Sequence, residues 1–98
     1  MCYTTDMPIE FTDSAGKHGI PDEDALYVMQ NSIYTSTNVK AAPNAAPNPR
    51  RVFVGPQHAG TERLVEVLIE VKSPGVFTIY HAMPLGSYYR KQMEEEQQ

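Results

Sequence analysis

Leu64-Val65-Glu66-Val67-Leu68-Ile69-Glu70-Val71 carries the clearest structural pattern in the chain. Side chains alternate along a strand, so Val65, Val67, Ile69 and Val71 form one wholly apolar face, while Leu64, Glu66, Leu68 and Glu70 form a mixed opposite face. On the C-terminal side, Ser73-Pro74-Gly75 reads as a turn into a second β-rich run, Val76-Phe77-Thr78-Ile79-Tyr80-His81. On the N-terminal side, Gln57-His58-Ala59-Gly60-Thr61 reads as a turn after a compact strand, Arg51-Val52-Phe53-Val54-Gly55. Three strands joined by short turns make an antiparallel meander.

Further outward the pattern becomes mixed. Ser32 to Lys40 is rich in Thr, Tyr, Ile and Val and predicts another strand, and Met7-Pro8-Ile9-Glu10-Phe11-Thr12 predicts a short one that its proline confines to an edge or a strand start. Asp13 or Ser14 is placed to cap a single helical turn that stops at Gly19. Pro21 suits a first helical position, and Asp22, Glu23 and Asp24 put negative charge at the positive pole of a helix over 21–31. Ala25, Val28 and Met29 give that helix a narrow apolar stripe. Pro84 is suited to open a second helix over 85–95. The expected fold is α+β, a curved antiparallel sheet of four to five strands with helices packed on one face.

Length allows one domain, 1–98, because 98 residues cannot fill two cores. Residues 1–6 are expected to be a flexible N-terminus, and Glu94–Glu96, at the wrong pole of the helix dipole, point to fraying over 94–98. The stretch 41–49 approximates a repeat of Ala-Ala-Pro-Asn with three prolines and nothing large to bury, which predicts a mobile loop. No run reaches the ~18 apolar residues of a membrane span, and the N-terminus lacks the basic and apolar regions of a signal peptide, so a cytoplasmic setting without membrane contact is expected. Cys2 is the single cysteine, which leaves no internal disulfide. His18, His58 and His81 show no paired ligand spacing, so no metal site and no cofactor are expected.

The net charge of −4 conceals a partition. Residues 1–31 hold six acids and one base, whereas 32–93 hold seven bases and three acids. The acidic total argues against a nucleic-acid grip, but the basic middle permits one. Arg50, Arg51, Arg63, Arg90 and Lys91 could converge on one groove suited to an RNA backbone, or could be ordinary solvated charge. Lys17-His18 places a cation beside a titratable ring ahead of a helix N-terminus. Metal-free RNA cleavage needs a base for the 2′-hydroxyl, an acid for the departing 5′-oxygen and cations for the phosphorane, and histidine serves either proton role near neutrality. The plainer alternative is a His18 that caps the short helical turn.

Phe11-Thr12-Asp13, Lys17-His18-Gly19-Ile20, Asp22-Glu23-Asp24-Ala25, Arg51-Val52-Phe53-Val54-Gly55 and His81-Ala82-Met83-Pro84-Leu85, taken in that order, resemble the BrnT-type toxins of bacterial type II toxin–antitoxin systems. The likeness spans about 11–94, and His81-Ala82-Met83-Pro84 after a strand is its most specific element. It implies a RelE-like fold, metal-independent ribonuclease activity that arrests growth, and neutralisation by a ribbon-helix-helix antitoxin through which any DNA contact is made. Lys17, His18, Arg51 and His81 would then be catalytic, with Arg50, Arg63, Arg90 and Lys91 on the RNA. Met83, Gly86 and Tyr89 depart from the charged residues usual in the family at those positions. A non-catalytic interaction module on the same fold is the alternative function.

Overall fold

A computed structural model describes residues 9–12, 16, 18–37, 39, 49–73 and 76–96. The expected flexible N-terminus, Cys2, Lys17, the helical cap at Asp13 or Ser14, and most of the proline-rich stretch lie outside these residues. Among those described, the order is β1 (Ile9–Phe11), α1 (Asp22–Gln30), β2 (Tyr34–Ser36), β3 (Arg50–Pro56), β4 (Leu64–Ser73), β5 (Val76–Pro84) and α2 (Ser87–Glu96). The five strands form one sheet in the order β1-β5-β4-β3-β2. The class is α+β and the meander β3-β4-β5 is antiparallel as expected. β1, however, pairs parallel with β5, with Ile9 opposite Phe77 and Phe11 opposite Ile79, so the sheet is mixed rather than antiparallel. Short β1 sits at an edge, the place where its preceding proline is tolerated.

The helices do not share a face. Val65, Val67 and Ile69 of β4 join Ile79 and Ala82 of β5 and Ala25 and Val28 of α1 in one core cluster. Leu68 of β4 joins Val52 and Val54 of β3 and Tyr89 and Met93 of α2 in another. Since neighbours on a strand point to opposite sides, α1 covers one face of the sheet and α2 the other. The reason lies in the mixed face of β4: Leu68 is buried, and an apolar side chain in mid-sheet needs cover as much as the valines behind it do.

Element boundaries shift where a proline acts. Pro21 adopts φ −62° and ψ 150°, an extended N-cap one residue outside α1 instead of its first turn. Pro84 ends β5 opposite Val65 and does not open the second helix, which begins three residues later. The second helix runs through Glu94–Glu96, and the Tyr34 hydroxyl donates to Glu96 Oε2 at 2.8 Å. Gly55 is where α1 touches the sheet backbone. A Cβ there would stand 2.9 Å from the Asn31 carbonyl oxygen and 3.2 Å from that of Val28. Gly19, at φ +75°, turns the chain from the His18 segment toward α1.

Candidate functional site

The α2 side of the sheet carries a cleft of about 380 Å³ whose lining includes Arg50, Glu66, Tyr80, His81, Ser87 and Tyr88. Its construction starts with an irregularity in β5. Leu68 pairs with His81 but the next residue of β4, Ile69, pairs with Ile79, so Tyr80 is an extra residue in the ladder. Ile79 keeps its side chain in the α1 core, while Tyr80 and His81 both line the cleft on the other side. The bulge thus presents two consecutive side chains where a regular strand would present one.

Glu66 stands diagonally across from His81 on β4 and is 5% exposed. Its two carboxylate oxygens are both engaged. His81 Nε2 lies 3.0 Å from Oε2, and the Gly86 amide donates to Oε1 at 2.9 Å. Leu85 N–H donates to the Leu64 carbonyl, which continues the β5–β4 pairing one residue past Pro84 and keeps Gly86 beside β4. An ionised carboxylate only accepts, so His81 must carry its proton on Nε2, and neutral His81 then offers Nδ1 as an acceptor. His18, exposed to solvent, brings its ring edge-on to His81 with centroids 5.6 Å apart. The pairing of β1 with β5 ends at Ile79, and His18 meets His81 beyond that point.

The other end of the cleft is cationic and aromatic. The Arg50 guanidinium lies 5.1 Å from the centre of the Tyr80 ring, within cation–π range. Arg50 Nε is buried and has no hydrogen-bond partner among the described residues. A buried donor left unpaired costs about 1–3 kcal/mol, and more when charged. Burial pushes the Tyr80 phenol above its ordinary value; Arg50 opposes that shift and Glu70 adds to it. Tyr80 therefore stays a neutral hydroxyl throughout the physiological range.

Of the residues expected at the site, His81 and Arg50 line the cleft, and His18 meets the His81 ring from outside the cleft lining. Arg51 does neither. It pairs with Ile69 on the α1 side and donates from Nη1 to Thr35 Oγ1 at 3.1 Å, because adjacent residues on β3 must face opposite ways. Arg63 is exposed at the end of the β3–β4 turn, outside the cleft lining. Arg90 and Lys91 are exposed on α2, and Lys91 borders a separate depression with Glu95 and Glu96. The expected convergence of five cations thus reduces to Arg50. Glu66 and Tyr80 belong to the cleft without carrying a motif that marks them as site residues. The β4–β5 register brings His81 opposite Leu68, two residues along β4 from Glu66. Comparison with family models, with curated proteins and with solved structures gives no match to this chain.

Proposed function

We propose that the chain is a metal-independent endoribonuclease, the toxin of a type II toxin–antitoxin system with a RelE-like, BrnT-type fold, working in the cytoplasm. The observation that carries the reading is the contact of two imidazoles, His81 in the cleft held by buried Glu66 and exposed His18 edge-on to it. In this mechanism neutral His81 accepts the 2′-hydroxyl proton at Nδ1. The 2′-oxygen attacks phosphorus, the bond to the 5′-oxygen breaks, and protonated His18 gives its proton to that oxygen, leaving a 2′,3′-cyclic phosphate and a 5′-hydroxyl. Glu66 is the positioning residue, since it fixes the tautomer and the ring plane of His81. Lys17, next to His18 in sequence, would supply charge to the phosphorane. Arg63, Arg90 and Lys91 would act only as distant cations for the RNA backbone.

A second reading, a protein-interaction module without chemistry, is favoured by a different observation. On the α1 side, Ile9, Leu26, Met29, Phe53, Ile69 and Phe77 line an apolar groove of about 290 Å³. Apolar grooves of this kind bind partners, and an antitoxin is the partner in the toxin reading.

Incubation of the purified chain with a mixed-sequence RNA and its 2′-deoxy counterpart tests the proposal. Cleavage of the RNA alone, with cyclic-phosphate ends, is expected, and His81→Ala should slow it about 10²–10⁴-fold. Its Tm should stay within a few degrees of the parent. Folded wild-type protein that leaves the RNA intact, and does not arrest bacterial growth when expressed alone, overturns the enzyme and favours the interaction module.

A further inference from the structure

We infer that Tyr88 is the nucleobase platform of the cleft, and that a base beside the linkage held at His81 stacks on its ring, purines in preference to pyrimidines. The inference rests on the ribonuclease reading for placing RNA in the cleft, but the stacking surface stands on its own geometry.

Among the described residues, Ile33 and Tyr88 are the large apolar side chains left exposed, and of the two only Tyr88, 47% exposed, lines the cleft. The other tyrosines of the lining are less accessible. Tyr80 carries the Arg50 guanidinium against its ring, and Tyr89 is buried in the core beneath α2.

The contacts that hold His81 also place Tyr88. Glu66 engages the His81 ring through Oε2 and the Gly86 amide through Oε1, and the Gly86 carbonyl accepts from Arg90 N–H at the start of α2. Tyr88 lies between Gly86 and Arg90, so its backbone is fixed relative to His81. Its ring meets that of Tyr89 edge-on with centroids 4.8 Å apart, which restrains the side chain as well. A platform arranged before its ligand arrives loses little freedom on binding.

The lining selects the ligand and the side of the ring that it takes. A cleft of about 380 Å³ has room for more than one phosphodiester, and Leu68, Met83 and Tyr89 make the wall next to Tyr88 suited to a flat heterocycle. Tyr88 also borders a depression along α2 with Glu95 and Glu96, whose carboxylates repel the phosphates flanking a base. The base therefore takes the cleft side. Single-stranded bases stack on tyrosine because each has a π face, and the larger purine covers more of the ring.

Proton NMR titration with 2′-deoxydinucleotides, which have no 2′-hydroxyl to attack phosphorus, separates the platform from catalysis. In the wild-type chain d(ApA) should give nuclear Overhauser contacts between adenine and the Tyr88 ring, and should bind several-fold more tightly than d(TpT). An abasic analogue with the same phosphate should bind weakest. Tyr88→Ala should weaken d(ApA) roughly 10-fold. The same variant should leave the abasic analogue and the log–log salt slope unchanged, because no phosphate contact is lost. Tyr88→Phe should keep parental affinity and Tyr88→Leu should not, since stacking needs the ring and not the hydroxyl. In cleavage assays Tyr88→Ala should raise KM while the pH profile of kcat stays parental, because Tyr88 moves no proton.

Absence of the adenine contact at millimolar d(ApA) overturns the platform, and this wild-type result decides the matter even if the variants do not fold. Equal affinity for d(ApA) and the abasic analogue also overturns it, and assigns Tyr88 to contact with a partner protein instead. Tyr88-dependent d(ApA) binding by a chain that cleaves no RNA overturns the ribonuclease reading and leaves the platform standing. Normal cleavage with d(ApA) binding indifferent to Tyr88→Leu does the reverse.

Discussion

The two faces of the sheet are built from the same strands and perform different work. Toward α1, β4 and β5 present Val65, Val67, Ile69, Ile79 and Ala82, all at most 2% exposed and all apolar. Toward α2, the alternate positions mix Leu68, Val52 and Val54 with Glu66, Tyr80, His81 and Arg50. Each polar group on the second face needs a partner at a particular distance, while the first face needs only volume and fit. Stability and chemistry are thereby separated by the two-residue period of a strand, so a substitution at one position need not disturb the other function.

Neighbouring residues of β5 offer the sharpest way to break that comparison. Ile79→Ala empties a fully buried site and should cost about 2–5 kcal/mol. For a domain of this size that is a Tm loss on the order of 10 °C or more. His81→Ala, whose side chain is 28% exposed, should lose less, its cost coming from the Glu66 carboxylate oxygen left without that partner. Thermal melts of the two variants check the division, and equal losses would show that the α2 face is as much a structural core as the α1 face.

Gly55→Ala probes how closely α1 lies on the sheet. The new methyl would meet the Asn31 carbonyl oxygen at 2.9 Å, and backbone on both sides leaves little room to yield. A loss of about 1–3 kcal/mol is expected from chemical denaturation, with an unchanged slope against denaturant. A neutral result would mean that the end of α1 shifts readily.

The smallest effect concerns protons. The folded-state pKa of Tyr80 is raised above 10.0, chiefly by burial, so the native state holds this proton longer than the unfolded chain does. The contribution is fully present below pH 10.0 and is lost as pH rises through the folded-state value. Ultraviolet titration of Tyr80→Phe should lose one late-ionising tyrosine relative to the parent chain. A Tyr80 that titrates with the exposed tyrosines would indicate a more open cleft than the sheet geometry gives.

Local pattern made much of this legible. Period-two alternation marked β4, the turn residues on either side of it placed β3 and β5, and acidic residues after Pro21 located α1 to within a residue at each end. The histidines at 18 and 81 could be singled out because their chemistry is intrinsic to the ring. Arg51 shows the limit of that approach, since charge and proximity in sequence placed it with Arg50, but strand geometry sends the two to opposite faces.

What the sequence alone determined was the set of elements, the antiparallel meander and the residue types able to move protons, because each depends on neighbours only a few positions away. Tertiary structure decided the parallel docking of β1, the division of the helices between the two faces, and the bulge that turns Tyr80 and His81 toward one cleft. It also supplied the Glu66 carboxylate and the Gly86 amide that hold the histidine. These depend on register across strands distant in sequence, where one extra residue reverses which side chain faces which side, and no local pattern records that count.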